Sequence, residues 1–218
     1  MKLRFLKPRD PAFSLYEVLV VLIVVFFLAL ILLPRIAQLH DKNGRIYCLM
    51  NLNHVGDAFL VWAGDHESKF PMQVSVTNGG AMELIATGNV AACFLAMSNQ
   101  LSSPRILICP TDFRHTGVTN FGADFNNSHI SYFVALDAGP NSLQRFISGD
   151  DNFATNDTRV RPGILQLSSN SPVAWIRSRH PYGGNLSYAD GHAQETLNSD
   201  LPAVLQQTGL ATNRLAIP

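Results

Sequence analysis

FSLYEVLVVLIVVFFLALILLP, residues 13–34, carries one charge, Glu17, in a run that is otherwise apolar up to its closing proline. At ~1.5 Å of rise per residue, Phe13 to Leu33 spans about 32 Å as a helix, enough for a hydrocarbon core of ~30 Å. A carboxylate at membrane depth costs roughly 2.5–3.5 kcal/mol on insertion scales, so Glu17 calls for a partner. The competing reading is an acid that snorkels to the nearby interface or stays protonated there. The run leads into Leu32-Leu33-Pro34-Arg35 with no small-residue cleavage pattern, so the segment is expected to stay as an anchor.

Outward from this stretch, the charges sort by position. The chain of 218 residues has no net charge, yet Lys2, Arg4, Lys7 and Arg9 stand against Asp10 alone in the first twelve residues, leaving the remainder acidic. A basic tip before an apolar helix holds that tip in the cytoplasm and sends the following domain outward, the topology of a single-pass inner-membrane protein. The other basic residues are scattered, which argues against a nucleic-acid partner.

Past Pro34, which kinks rather than necessarily ends a helix, Leu49, Leu52, Val55, Phe59 and Trp62 recur at helical spacing. This stripe predicts one long helix over about 13–65, with Gly44 as a bend and its second half (34–66) packed on an outward domain, 67–218. One or two short helices are expected in Met82–Met97, interrupted at Gly88-Asn89. Strands are expected at Arg105–Cys109, Ile130–Leu136 and Pro172–Arg177, with a final pair around Asp190-Gly191, and a polar loop at 148–159. Asp200 is placed to cap a helix over Leu201–Gln207. The fold class is therefore α+β, a long helix lying on a small antiparallel sheet.

Three cysteines lie beyond the anchor. Cys93 sits in the apolar stretch NVAACFLAM and reads as a small core residue; Cys48 and Cys109, with polar neighbours, are the pair expected to form a disulfide in an oxidising compartment.

The order of basic tip, Ala12, Phe13, Ser14, Leu15 and Glu17 before an apolar helix resembles the class III leader of type IV prepilins and type II secretion pseudopilins. The resemblance implies a leader over 1–12, cleavage between Ala12 and Phe13 by a prepilin peptidase, and N-methylation of Phe13. Glu17 then matches the family's fifth mature residue and Pro34 its twenty-second; the family prefers glycine where this chain has Ala12. Partners implied are that peptidase, membrane lipid, neighbouring pilin-like subunits and the inner-membrane assembly machinery. Glu17 would meet the new α-amino group of an adjacent subunit, two opposite charges in a medium of low dielectric.

HPYGGNLSYADGHAQ, residues 180–194, has His180 nine residues before Asp190-Gly191, similar to the H-x9-DG segment of a large set of bacterial proteins with prepilin-type leaders. CLMNLNHVGDAF (48–59), with Met50 where that group has asparagine, and CPTD (109–112) resemble the same group. Taken as residues alone, Asp190-Gly191 between alternating segments is a two-residue hairpin signal of the type I′ kind, and Gly183-Gly184 a backbone bend. His180, Asp190 and His192 have the donor types of a zinc site, without an established spacing. Asp150, Asp151 and Asp157, with Asn152 and Asn156, offer oxygen ligands for calcium without the EF-hand order. No nucleophile elbow or phosphate loop occurs. The sequence thus points to a structural subunit without catalytic residues. A tethered ligand-binding domain is the alternative, and a metal-dependent hydrolase the third reading.

Overall fold

The second half of the first helix organises everything that follows it. In the computed structural model, which describes residues 14–177, 179–180 and 183–218 and only the backbone of 34–43, α1 runs over Leu15–Gly64 and continues through Pro34. The chain divides into two compact units after His40.

In the first unit, Leu15–Leu33 is long and apolar enough to cross a membrane, and none of it is covered by the rest of the protein. Its start is a capping box that the sequence spells as Ser-x-x-Glu. The Ser14 amide and hydroxyl donate to Glu17 Oε2 at 2.8 and 2.9 Å, and the Glu17 amide donates back to Ser14 Oγ at 3.3 Å.

In the second unit, Asp41–Pro218, α1 turns a stripe of Cys48, Leu52, Val55, Phe59 and Trp62 into the core, each at most 1% exposed. Cys48 takes the place expected for Leu49, which is only half-buried. Burying each large member contributes roughly 1.5–3 kcal/mol. The helix continues through Gly44. A Cβ there would lie 2.3 Å from Thr111 Cγ2, so glycine lets the helix approach the Cys109–Asp112 turn.

The short helices α2 (Met82–Ile85) and α3 (Val90–Ala96) break at Gly88-Asn89 as expected, with the Asn89 side chain capping α3, and α4 (Ser98–Leu101) follows. Arg105–Cys109 is not a strand. Pro104–Leu107 forms a 3-10 turn started by Ser103, whose hydroxyl accepts from the Arg105 amide, because Pro104 has no N–H to give a ladder.

Among the described residues, nine strands make two antiparallel sheets. The larger has the order β5-β9-β1-β2-β7-β8, formed by β1 (Tyr132–Ala135), β2 (Phe146–Asp150), β5 (Gly163–Leu167), β7 (Gly183–Tyr188), β8 (Ala193–Leu197) and β9 (Asn213–Ile217). The smaller is β4-β3-β6, from β3 (Phe153–Thr155), β4 (Thr158–Arg159) and β6 (Val173–Trp175). The stretch 148–159, expected as a polar loop, is instead the end of β2 and the β3–β4 hairpin. Asp150, Asp151 and Asn152 are buried there, the two carboxylates met by Arg179 and the Asn152 amide by the Ile176 carbonyl. Gly183 and Gly184 are strand residues rather than a bend; a Cβ on Gly184 would lie 2.4 Å from the Trp175 ring. The last helix, α5 (Leu201–Gln207), starts at Asp200 without a side-chain cap, since the Asp200 carboxylate accepts from Ser199 Oγ instead.

The β7–β8 connection is one residue longer than the expected turn. Tyr188 N–H donates to His192 O at 2.8 Å and Gly191 N–H to Tyr188 O at 2.9 Å, so Ala189, Asp190 and Gly191 form a three-residue loop. Gly191 alone in this loop has positive φ, +91°. That is a type I turn closed by a left-handed residue, not a type I′ turn, which needs positive φ at both centres. The loop rests on α1 at Gly56, where a Cβ would lie 2.6 Å from Gly191 O and from Ser187 Oγ. Asn53 Oδ1 accepts from the Ala193 amide at 2.8 Å, and Arg45 pairs with Glu195, fastening β8 to the helix.

Candidate functional site

Four side chains far apart in sequence meet beneath α1. Cys48 comes from the helix, Cys109 from the turn after the 3-10 segment, Asp150 from the end of β2, and His180 from the connection into β7. All are fully buried, and their ligand-type atoms lie within 4.8 Å of one another. Cys48 Sγ donates to Asp150 Oδ1 at 3.2 Å and sits 3.2 Å from the Tyr132 hydroxyl. His180 Nε2 lies 3.4 Å from Cys109 Sγ and 3.6 Å from Asp150 Oδ2. The Asn185 amide and Nδ2 donate to that same Oδ2 at 2.8 and 3.0 Å.

The pairing of strands explains the meeting. Antiparallel register sets Tyr132 opposite Asp150, and Gly149 opposite Leu186, which puts Asn185 beside the Asp150 carboxylate. Burial pushes the Cys48 thiol well above its ordinary range, with its hydrogen bond to Cys109 and the charge of Asp150 adding to the effect. Burial also acts to raise Cys109, but hydrogen bonds with Cys48 and His180 outweigh it and bring that thiol down to about 6.

Next to this cluster is a second, ionic one. Arg179 reaches Asp112, holds Asp151 Oδ1 at 2.6 Å, lies 3.7 Å from Asp150 Oδ1 and donates to Ser131 O at 2.8 Å. Arg114 Nη2 binds Asp151 at 2.8 Å; Asp112 also accepts from His115 Nδ1 at 2.6 Å, Ser131 Oγ at 2.8 Å and the Arg114 amide at 2.9 Å. Burial alone would raise Asp112, yet the His115 bond and the Arg179 charge together hold it well below the usual carboxylate range. Burial likewise opposes the Arg179 charge, and Asp151, Asp150 and Asp112 more than compensate. A cavity of about 140 Å³, lined by Asp112, Phe113, Arg114 and Arg179 among others, opens beside this group.

The sequence-predicted residues divide accordingly. Ala12 and Phe13 lie outside the described residues. Glu17 is bonded to Ser14, and the helix continues through Pro34. Cys93 is fully buried in the core, as its apolar stretch suggests. Cys48 and Cys109 do come together, both as free thiols. His180 joins them but is not brought to Asp190 or His192, which pair with each other on the exposed hairpin, Asp190 Oδ1 against His192 Nδ1. The calcium candidates also separate. Asp150 faces the thiols, Asp151 is neutralised by two arginines, and Asp157 stands at the β3–β4 turn with positive φ.

Among the described residues, two groups have the donors to hold a metal ion, the buried Cys48/Cys109/Asp150/His180 and Asp112/His115/Asp151, in which His115 is half-buried. Arg179, Asp112, Tyr132 and Asn185 are the site residues that sequence reasoning missed. The signals were Asp112 inside CPTD and Arg179 directly before His180. Compared with protein-family models, with curated proteins and with solved structures, the chain finds no match.

Proposed function

We propose that the protein is a prepilin-like or pseudopilin-like structural subunit. It is anchored in the inner membrane by Leu15–Leu33, with its tip cytoplasmic and its α+β domain outside, and it assembles laterally through α1. One observation carries the reading: a single helix exposes an apolar membrane-length segment with one acid at its start, then buries a regular stripe under an antiparallel sheet. A lone carboxylate in that position is costly unless another group answers it.

Glu17 has a local answer in Ser14, so its assembly role is an exchange. On cleavage before Phe13, the new ammonium of a neighbouring subunit replaces a neutral hydroxyl as the partner of the carboxylate. A charge pair in low dielectric is stronger than the hydrogen bond it displaces. The work of the molecule is packing rather than turnover.

Mass spectrometry of the amino terminus of protein isolated from its native membrane tests this. The expected result is a chain beginning at methylated Phe13, with Glu17→Ala accumulating processed but unassembled. A chain that begins at Met1, with Glu17→Ala behaving as wild type, refutes assembly and leaves a tethered domain.

A further inference from the structure

The Cys48/Cys109/Asp150/His180 cluster has the wrong chemistry for a simple apolar core and the right one for a soft divalent cation. We propose that these four side chains form a closed, four-coordinate zinc site that staples α1 to the large sheet.

Geometry is the first support. In a tetrahedral site with Zn–S near 2.3 Å and Zn–N or Zn–O near 2.0 Å, neighbouring ligand atoms lie about 3.3–3.8 Å apart. The separations here are 3.2 Å for Cys48 Sγ to Asp150 Oδ1, 3.4 Å for Cys109 Sγ to His180 Nε2 and 3.6 Å for His180 Nε2 to Asp150 Oδ2. All other pairs fall within 4.8 Å. The three measured separations are close to the required edge, with Cys48 facing Oδ1 of Asp150 and His180 facing Oδ2.

Charge is the second. Two thiolates and a carboxylate around a divalent ion leave one surplus negative charge, and Arg179 lies 3.7 Å from Asp150 to meet it. Arg179 also serves Asp112 and Asp151, so three buried carboxylates converge on one buried guanidinium. A disulfide between the cysteines would occupy the two sulfurs and leave the buried His180 imidazole facing atoms with no proton to share. His180 Nδ1 has no partner among the described residues, so the ring's contacts are all on the cluster side.

The surroundings are those of a ligand set held in place. Asn185 fixes Oδ2 of Asp150 through two hydrogen bonds, which leaves Oδ1, the oxygen facing Cys48, for the ion, and Tyr132 stands against Cys48, an outer layer of the kind that orients metal ligands. Thiolate and imidazole donors favour zinc over calcium or magnesium. Full burial leaves no open position for substrate, so the ion is structural rather than catalytic. The neighbouring Asp112/His115/Asp151 group is not a second site, because Arg179 and Arg114 already occupy its carboxylates.

The test uses full-length protein extracted from membranes in mild detergent without chelator. Its metal is measured by elemental analysis and native mass spectrometry, and its thiols by non-reducing peptide mapping. The expected result is stoichiometric zinc, a melting temperature that falls on chelation and returns with added zinc ion, and loss of most of the metal in Asp150→Asn and His180→Gln. Asp190→Asn and His192→Gln keep it. Asn185→Ala, which leaves the four donors intact, weakens zinc affinity by about 10–100-fold. Should the ligand variants fail to fold, cobalt exchanged into the wild-type chain reports the same site through thiolate charge-transfer and tetrahedral d–d bands. A Cys48–Cys109 disulfide in a zinc-free preparation overturns the proposal, and so does reduced protein that takes up no zinc from the ion alone.

Discussion

Gly56→Ala tests the seating of α1 on the β7–β8 hairpin, because two opposing effects of known size meet at that residue. In a helix interior alanine is favoured over glycine by about 0.8–1 kcal/mol, so helix propensity alone predicts stabilisation. The new methyl, however, would lie 2.6 Å from Gly191 O and 2.6 Å from Ser187 Oγ. The carbonyl cannot swing aside as a flexible side chain could, since Gly191 closes the turn through its bond to Tyr188 O. Overpacking of this kind costs about 1–3 kcal/mol, and a backbone clash belongs to the upper part of that range. The balance is a net loss of about 1–2 kcal/mol. For a domain of this size, that lowers Tm by about 2–8 °C. Gly64→Ala, at the end of the same helix with nothing within 4 Å of the added methyl, is the control and should be neutral or slightly stabilising. Thermal unfolding of the full-length protein in detergent, followed by circular dichroism, measures both. A Gly56→Ala protein that melts at or above the wild-type temperature would refute the close helix–hairpin contact.

Two further outcomes follow from the buried ions. Asp112 has a folded-state pKa below its unfolded value, so its contribution to stability is present above about pH 4 and is lost as pH falls toward the folded value. Asp112→Asn should therefore flatten the acid limb of an unfolding-against-pH series; an unchanged slope sinks the assignment. Arg179→Met strands Asp112, Asp150 and Asp151 without their shared cation, which costs about 3–5 kcal/mol. Limited proteolysis should cut the variant domain far faster than wild type, and equal resistance would show that Arg179 is dispensable.

The parts of this protein that were legible in its sequence are those whose signal repeats within a turn or two. Apolar continuity over 15–33 and the spacing of Leu52, Val55, Phe59 and Trp62 announce a long helix and its buried face without reference to any other segment. Ser14 and Glu17 spell a capping box just as locally. The hairpin at Asp190-Gly191 was legible as a turn but not in its length, because the ladder beyond it decides which residues pair. Strands β2 to β4 were hidden in a polar stretch, since a sequence does not reveal that Asp150, Asp151 and Asn152 will find partners inside.

What the chain alone determined is an apolar helix of membrane-spanning length with one acid, followed by an amphipathic helix, for helical periodicity depends only on near neighbours. The tertiary structure alone decided that Cys48, Cys109, Asp150 and His180 share one buried point while Asp190 and His192 stay on the surface. Each of those four residues reaches that point through strand register and helix seating, long-range choices that no short window of sequence contains.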